Sequence, residues 1–252
     1  MNAETGPVPR RDTAWYADRL STDGVRLDAV ITAGDLAAPV AACPGWDVRR
    51  LVVHVGTVLG WATACIAEAA PPTSMTEFEP GDRDLHDWFT DRVSTIETVL
   101  RSLDPAAPTW HPFPVERVAG VWPRRLAHEI AVHRWDAEAA IGSPAPFDAE
   151  LAADGIDEYF ELAVPRLLRR DGVSLPTSSF HVHCTDVHGE WFVDGADGGY
   201  RLERAHRKGD AALRGSAESL LLRLWGRSVP DDALDAVGDT TALADWLALS
   251  GM

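Results

Sequence analysis

The stretch from Trp122 to Ala140, WPRRLAHEIAVHRWDAEAA, holds the residues best suited to chemistry. Read as one amphipathic helix, at about 100° per residue, it puts Glu129, His133 and Asp136 on a single face. Leu126, Ile130, Ala137 and Ala140 share that face and read as core. A carboxylate and an imidazole aimed into a core are costly unless something pairs with them. A divalent metal would satisfy both. The zinc-protease pattern His-Glu-x-x-His does not fit, because His128 and His133 are five residues apart. That spacing separates them by roughly 140° around a helix. A Glu-x-x-x-His half-site remains, and it needs a third ligand from another element.

His54 is the candidate. Asp47 is a good N-cap for a second helix running to about Glu68, with Leu51, His54, Val55, Val58 and Ala62 along one inward stripe. Two histidines and a glutamate leave zinc an open position, the arrangement of catalytic sites. There the pKa of a bound water or thiol falls. A buried His–Glu hydrogen bond with no metal is the competing reading, and the residues alone leave both open. Asp136 either orients His133 or moves a proton, or it forms an ordinary salt bridge with Arg125 or Arg134. His181 and His183 share one strand face and could pair on a metal, although a solvated strand face is the commoner outcome. Cys43, in a Cys-Pro-Gly-Trp turn, reads as a packing residue. The sequence has no Gly-rich phosphate loop and no Gly-x-Ser-x-Gly elbow, which leaves ATP use and serine hydrolysis without support.

The elements that must position these residues follow from periodicity. Helices are predicted over about 13–32, 48–68, 84–103 and 122–140, with long connections at 70–81 and 104–120. Four such helices suggest a bundle, in which metal sites form between facing helices. Residues 1 to about 11 read as a frayed lead-in. Beyond Gly142-Ser143-Pro144-Ala145-Pro146 the pattern changes. A helix over 149–169 precedes alternating strands at 179–184, 190–193, 200–203 and 211–214, where Ala196-Asp197-Gly198-Gly199 is a hairpin signal. Helices ending at Arg227 and spanning 242–249 close the chain. The expected fold class is α+β, with a helical bundle over 1–145 and a small α+β domain over 146–252.

Composition bounds the partners. The chain has 252 residues and a net charge of −16, from 39 acidic and 23 basic residues. That charge opposes nonspecific nucleic-acid or anionic-membrane binding. Cys43, Cys65 and Cys184 are far apart and odd in number, which favours a reducing cytoplasm over a disulfide framework. No signal peptide or membrane-spanning apolar run is expected.

Two segments resemble a known family. Cys43-Pro44-Gly45-Trp46-Asp47-Val48-Arg49-Arg50-Leu51-Val52-Val53-His54 resembles the entry motif of mycothiol-dependent maleylpyruvate isomerases. Arg125 to Asp136, RLAHEIAVHRWD, is similar to the family's second metal motif. Residues 213–227, LRGSAESLLLRLWGR, resemble its C-terminal domain. The resemblance implies a DinB-like four-helix bundle with zinc on His54, Glu129 and His133, followed by a sterol-carrier-protein-like α+β domain. It also implies mycothiol as thiol cosubstrate and an anion- or substrate-binding role for Arg227. Family members either isomerise a cis double bond by reversible thiol addition or transfer the thiol to an electrophile. The expected protein is therefore a thiol-activating isomerase or S-transferase acting on an electrophilic small molecule. A zinc hydrolase using metal-bound water and a non-catalytic small-molecule binding protein are the alternatives.

Overall fold

The computed structural model describes residues 11–142, 144–170, 172–195 and 198–249. The predicted lead-in and the first half of the Ala196–Gly199 turn lie largely outside them. The chain divides into two compact units: Arg11–His111 with Glu116–Pro146, and the residues from Phe147 onward with Pro112–Val115.

The first unit is a four-helix bundle of α1 (Thr13–Ala33), α2 (Val48–Glu68), α3 (Leu85–Arg101) and α4 (Val121–Ala140). Asp12, Asp47 and Asp84 cap α1, α2 and α3, each accepting a backbone N–H from the first turn, which satisfies an otherwise orphaned donor. Gly142, at φ +81°, follows α4 in the left-handed region that favours glycine. Around the bundle α1 neighbours α3 and α4, and α2 neighbours the same pair. Leu20, Leu27, Leu51, Val55, Trp88, Phe89, Leu126 and Ile130 form a fully buried core. Val25, although apolar, is 68% exposed. It lies about 100° around the helix from Gly24, whose bare Cα lets α3 approach closely. By length and composition α2 is apolar enough to cross a membrane, contrary to the sequence expectation. Half of its apolar window is nevertheless buried inside this unit, as befits a bundle core helix.

In the second unit, α5 (Ala149–Glu158) continues through a π-helical turn (Tyr159–Ala163) into the short α6 (Val164–Leu167). The sequence pattern gave one unbroken helix. The wider turn presents the Phe160 carbonyl to the Tyr200 hydroxyl at 2.7 Å. Strands β1 (Ser179–Cys184), β2 (Glu190–Asp194), β3 (Arg201–Glu203), β4 (Ala211–Gly215) and β5 (Leu234–Gly238) form one sheet in the order β3-β2-β1-β4-β5. Only the β1–β4 pairing is parallel. Strand β5 was not predicted. Helices α7 (Ala217–Leu224) and α8 (Thr240–Ala248) complete the unit. Phe180, Val182, Trp191 and Val193 line one fully buried sheet face. Trp246 of α8 stacks on Phe180 there, and the Trp191 indole donates to Asp157 of α5 at 2.8 Å.

Candidate metal centre

The half-site on α4 is completed by α2. His54 Nε2 lies 3.1 Å from Glu129 Oε1, and His133 Nε2 lies 3.5 Å from the same oxygen. The two imidazoles meet edge to face with centroids 5.3 Å apart. One ligand atom from each of the three residues falls within 4.8 Å of the other two. Zinc takes nitrogen and carboxylate oxygen at about 2.0–2.2 Å, so two of its tetrahedral ligands sit roughly 3.3 Å apart. The observed separations suit that requirement.

The neighbours fix the ligands in place. His133 Nδ1 is 3.0 Å from Asp136 Oδ2, and the Asp136 carboxylate is fully buried. Arg125 donates to the other oxygen of Glu129 at 3.2 Å. The Trp46 ring packs 5.0 Å from that of His54. His54 is less buried than a core stripe predicts: its side chain is 35% exposed, against 13% for His133. The site is therefore reachable from solvent on the α2 side.

The electrostatics argue for a cation. Burial would push the Glu129 carboxyl up, but hydrogen bonds from His133 and His54, with the Arg125 charge, hold it well below the usual carboxylate range. Burial likewise opposes a charge on His133, but Asp136 and Glu129 raise it to about 9. If His133 Nδ1–H donates to Asp136, the lone pair of a neutral ring at Nε2 faces the carboxylate of Glu129. Those two acceptors repel unless a proton or a metal ion lies between them. The donor set thus fits a divalent ion, and a carboxylate behind a ligating histidine is a common companion of such sites.

Other sequence-predicted residues fall as follows. His128 is buried on another face of α4, with its ring edge-on to Tyr16, in keeping with its removal from the ligand set. Arg134, one possible partner of Asp136, pairs with Asp23 and Glu138. Arg227 is buried just past α7, its guanidinium donating to the Trp225 carbonyl at 2.7 Å. Cys43, read as a packing residue, does pack against the bundle core, and its sulfur also lies within 4.8 Å of ligand atoms of both His133 and Asp136. His181 is also buried rather than on a solvated strand face.

Comparison with known proteins decides the lineage. Residues 17–138 match the model of the mycothiol maleylpyruvate isomerase N-terminal domain, and residues 150–245 match that of the C-terminal domain. The chain belongs to the mycothiol maleylpyruvate isomerase family. A crystal structure of the mycothiol-dependent maleylpyruvate isomerase superposes with a TM-score of 0.60 at 12% identity, covering 92% of this chain and 94% of that one. A mutant form with a histidine replaced by alanine gives 0.59 at 11% identity, with the same coverage. At that identity the likeness establishes the family's α+β fold, a helical bundle followed by a smaller α+β part. No curated protein matches the chain by sequence.

Proposed function

We propose that the chain is a metal-dependent enzyme that activates a low-molecular-weight thiol, mycothiol, for addition to an electrophilic small molecule. The convergence of His54 and His133 on one oxygen of Glu129, with Asp136 behind His133, carries this reading. Membership of the mycothiol maleylpyruvate isomerase family supports the choice of thiol. A divalent cation, zinc by its taste for nitrogen and carboxylate donors, would be held by His54, Glu129 and His133 and would lower the pKa of a thiol beside it.

The chain's own residues do the rest. Asp136 sets the tautomer and ring angle of His133. Arg125 holds the second oxygen of Glu129, so the carboxylate cannot rotate freely. The exposed edge of His54 is where a small molecule enters. A thiolate adds to one carbon of a cis double bond conjugated with a carbonyl group, the π electrons shift onto the carbonyl oxygen as an enolate, and the former double bond, now single, rotates. Elimination then breaks the carbon–sulfur bond, expels the thiolate again and leaves the trans alkene. Where the adduct does not eliminate, the net reaction is S-transfer. Asp136 stays an anion that holds the Nδ1 proton of His133 and balances the charge of a cation at the other ring nitrogen, and Arg227 serves to bind an anionic group. The ligand set lies within a metal-binding domain over 1–145, with a second domain over 146–252. Three cysteines without disulfides support a reducing, cytoplasmic setting.

Metal analysis and thiol-dependent turnover test the reading together. His54→Ala and His133→Ala are expected to lose both bound metal and activity, and full metal occupancy in either would reject the ligand set. Turnover undiminished without mycothiol would favour a hydrolase. Purified protein with far less than one metal equivalent at the α2–α4 site would favour a binding protein.

A further inference from the structure

The sheet face opposite Phe180 and Val182 carries a second cluster of ligating side chains, wholly within the second unit. His181 and His183 lie on the same side of β1, and Glu190 on β2 is the register partner of His183. His206, from the connection between β3 and β4, completes the group. Glu190 Oε1 accepts from His206 Nδ1 at 2.9 Å and from His183 Nδ1. The His181 ring centroid is 5.3 Å from that of His206 and 6.1 Å from that of His183. One ligand atom from each of the four residues lies within 4.8 Å of all the others.

Two buried atoms in this cluster have no hydrogen-bond partner among the described residues: His181 Nε2 and Glu190 Oε2. Buried polar atoms are nearly always paired, so two orphans in one cluster need an explanation. The cluster thus gathers three imidazoles and one carboxyl group, with two buried polar atoms left without a partner.

We propose that His181, His183, Glu190 and His206 form a second divalent-cation site of the borderline zinc, nickel or copper class. Three imidazoles and one carboxylate supply four protein ligands, the number found at structural sites without an open position. Its role is to fasten the connection after β3 onto the β1–β2 hairpin. The His206 side chain is 70% exposed, so without an ion only its hydrogen bond to Glu190 and its packing on neighbouring rings hold it there. The class of ligand follows from the donors, and the site is independent of the one between α2 and α4.

The test uses the full chain stripped with chelator, in a His54→Ala background that disables the proposed α2–α4 site. Titration with Zn2+ by calorimetry is expected to give one equivalent, with a rise in Tm on saturation. Titration with Co2+ is expected to give the visible absorption of a four-coordinate nitrogen–oxygen site. His206→Ala removes an exposed ligand with little threat to folding and is expected to weaken binding by at least the roughly 10–100-fold seen for loss of an outer-sphere partner. Glu190→Gln is expected to do the same, with circular dichroism confirming that it folds. No zinc equivalent in the His54→Ala protein, or an affinity unchanged by either substitution, overturns the proposal. Failure of the α2–α4 assignment would show separately, as a His54→Ala protein that binds as many equivalents as the wild type.

Discussion

Asp136 Oδ2 sits 3.0 Å from His133 Nδ1, one turn along α4, with its carboxylate entirely out of solvent. A buried carboxylate in that position decides which imidazole nitrogen is left to meet a metal. Asp136→Asn keeps the shape and removes the charge. Zinc affinity at the α2–α4 site is expected to fall roughly 10–100-fold while the fold is retained. Calorimetric titration of the stripped protein checks this, and an unchanged affinity would remove Asp136 from the site.

Arg134, next to His133 in the chain but turned to other partners, ties α4 to α1. It reaches Asp23 at 3.0 Å, Glu138 at 2.9 Å and the Ala145 carbonyl at 2.6 Å, while Arg26 takes the second oxygen of Glu138 at 2.8 Å. Replacing it by Met leaves two buried carboxylates short of their main partner, a loss of about 3–5 kcal/mol. Urea unfolding of Arg134→Met measures it. Arg134→Lys is expected to recover only part, because an ammonium cannot copy the planar fork.

At Gly56 the Trp88 indole of α3 lies against the backbone of α2. A Cβ added there would lie 2.3 Å from Cη2 of the buried Trp88. Gly56→Ala forces the indole or a helix to shift and is expected to cost about 1–3 kcal/mol, despite alanine's better helix propensity. A Tm equal to or above that of the wild type would show that the indole moves freely.

Asp210 joins the starts of β1 and β4, accepting from the Ser179 backbone N–H and hydroxyl, both at 2.8 Å. Those bonds hold its carboxyl below the ordinary range. A lowered folded-state pKa gives stability that is present above the unfolded value, about 3.9, and is lost as pH falls through the folded one. Asp210→Asn is therefore expected to melt below the wild type at neutral pH, with the gap closing as pH falls below the ordinary carboxylate range and the folded-state carboxylate takes up its proton. A gap that stays constant with pH would contradict the carboxylate's role.

The three cysteines differ in reach. Cys65 and Cys184 are buried, and burial pushes their thiols up to about 11 and about 12. Cys43 is half-buried beside His133 and Asp136. Mass spectrometry after brief treatment of the native protein with an alkylating reagent should find one modification, at Cys43. Labelling of Cys65 or Cys184 at a similar rate would mean that their units open readily.

Helix positions were legible because each carries its own punctuation. The start of α2 at Val48 follows from Asp47, and the end of α4 from Gly142 with Pro144. Strand β5 was not legible. Leu234 to Gly238 is short and mostly exposed, with Val237 68% in solvent, so it lacks the alternation that marks a half-buried strand. It is a strand because β4 offers a free edge to pair with. The π-helical turn after α5 was hidden for a similar reason. Its widened backbone is seen in the bond that Tyr200 makes to Phe160, a partner distant in sequence.

By itself the sequence determined the chemistry of α4, since helical geometry places Glu129, His133 and Asp136 on one face whatever surrounds them. The half-buried setting of His54, the arrival of Cys43 beside His133 and the gathering of His206 with His181, His183 and Glu190 were decided only in three dimensions. Those groups sit on different elements, and local periodicity says nothing about which of them packing will bring together.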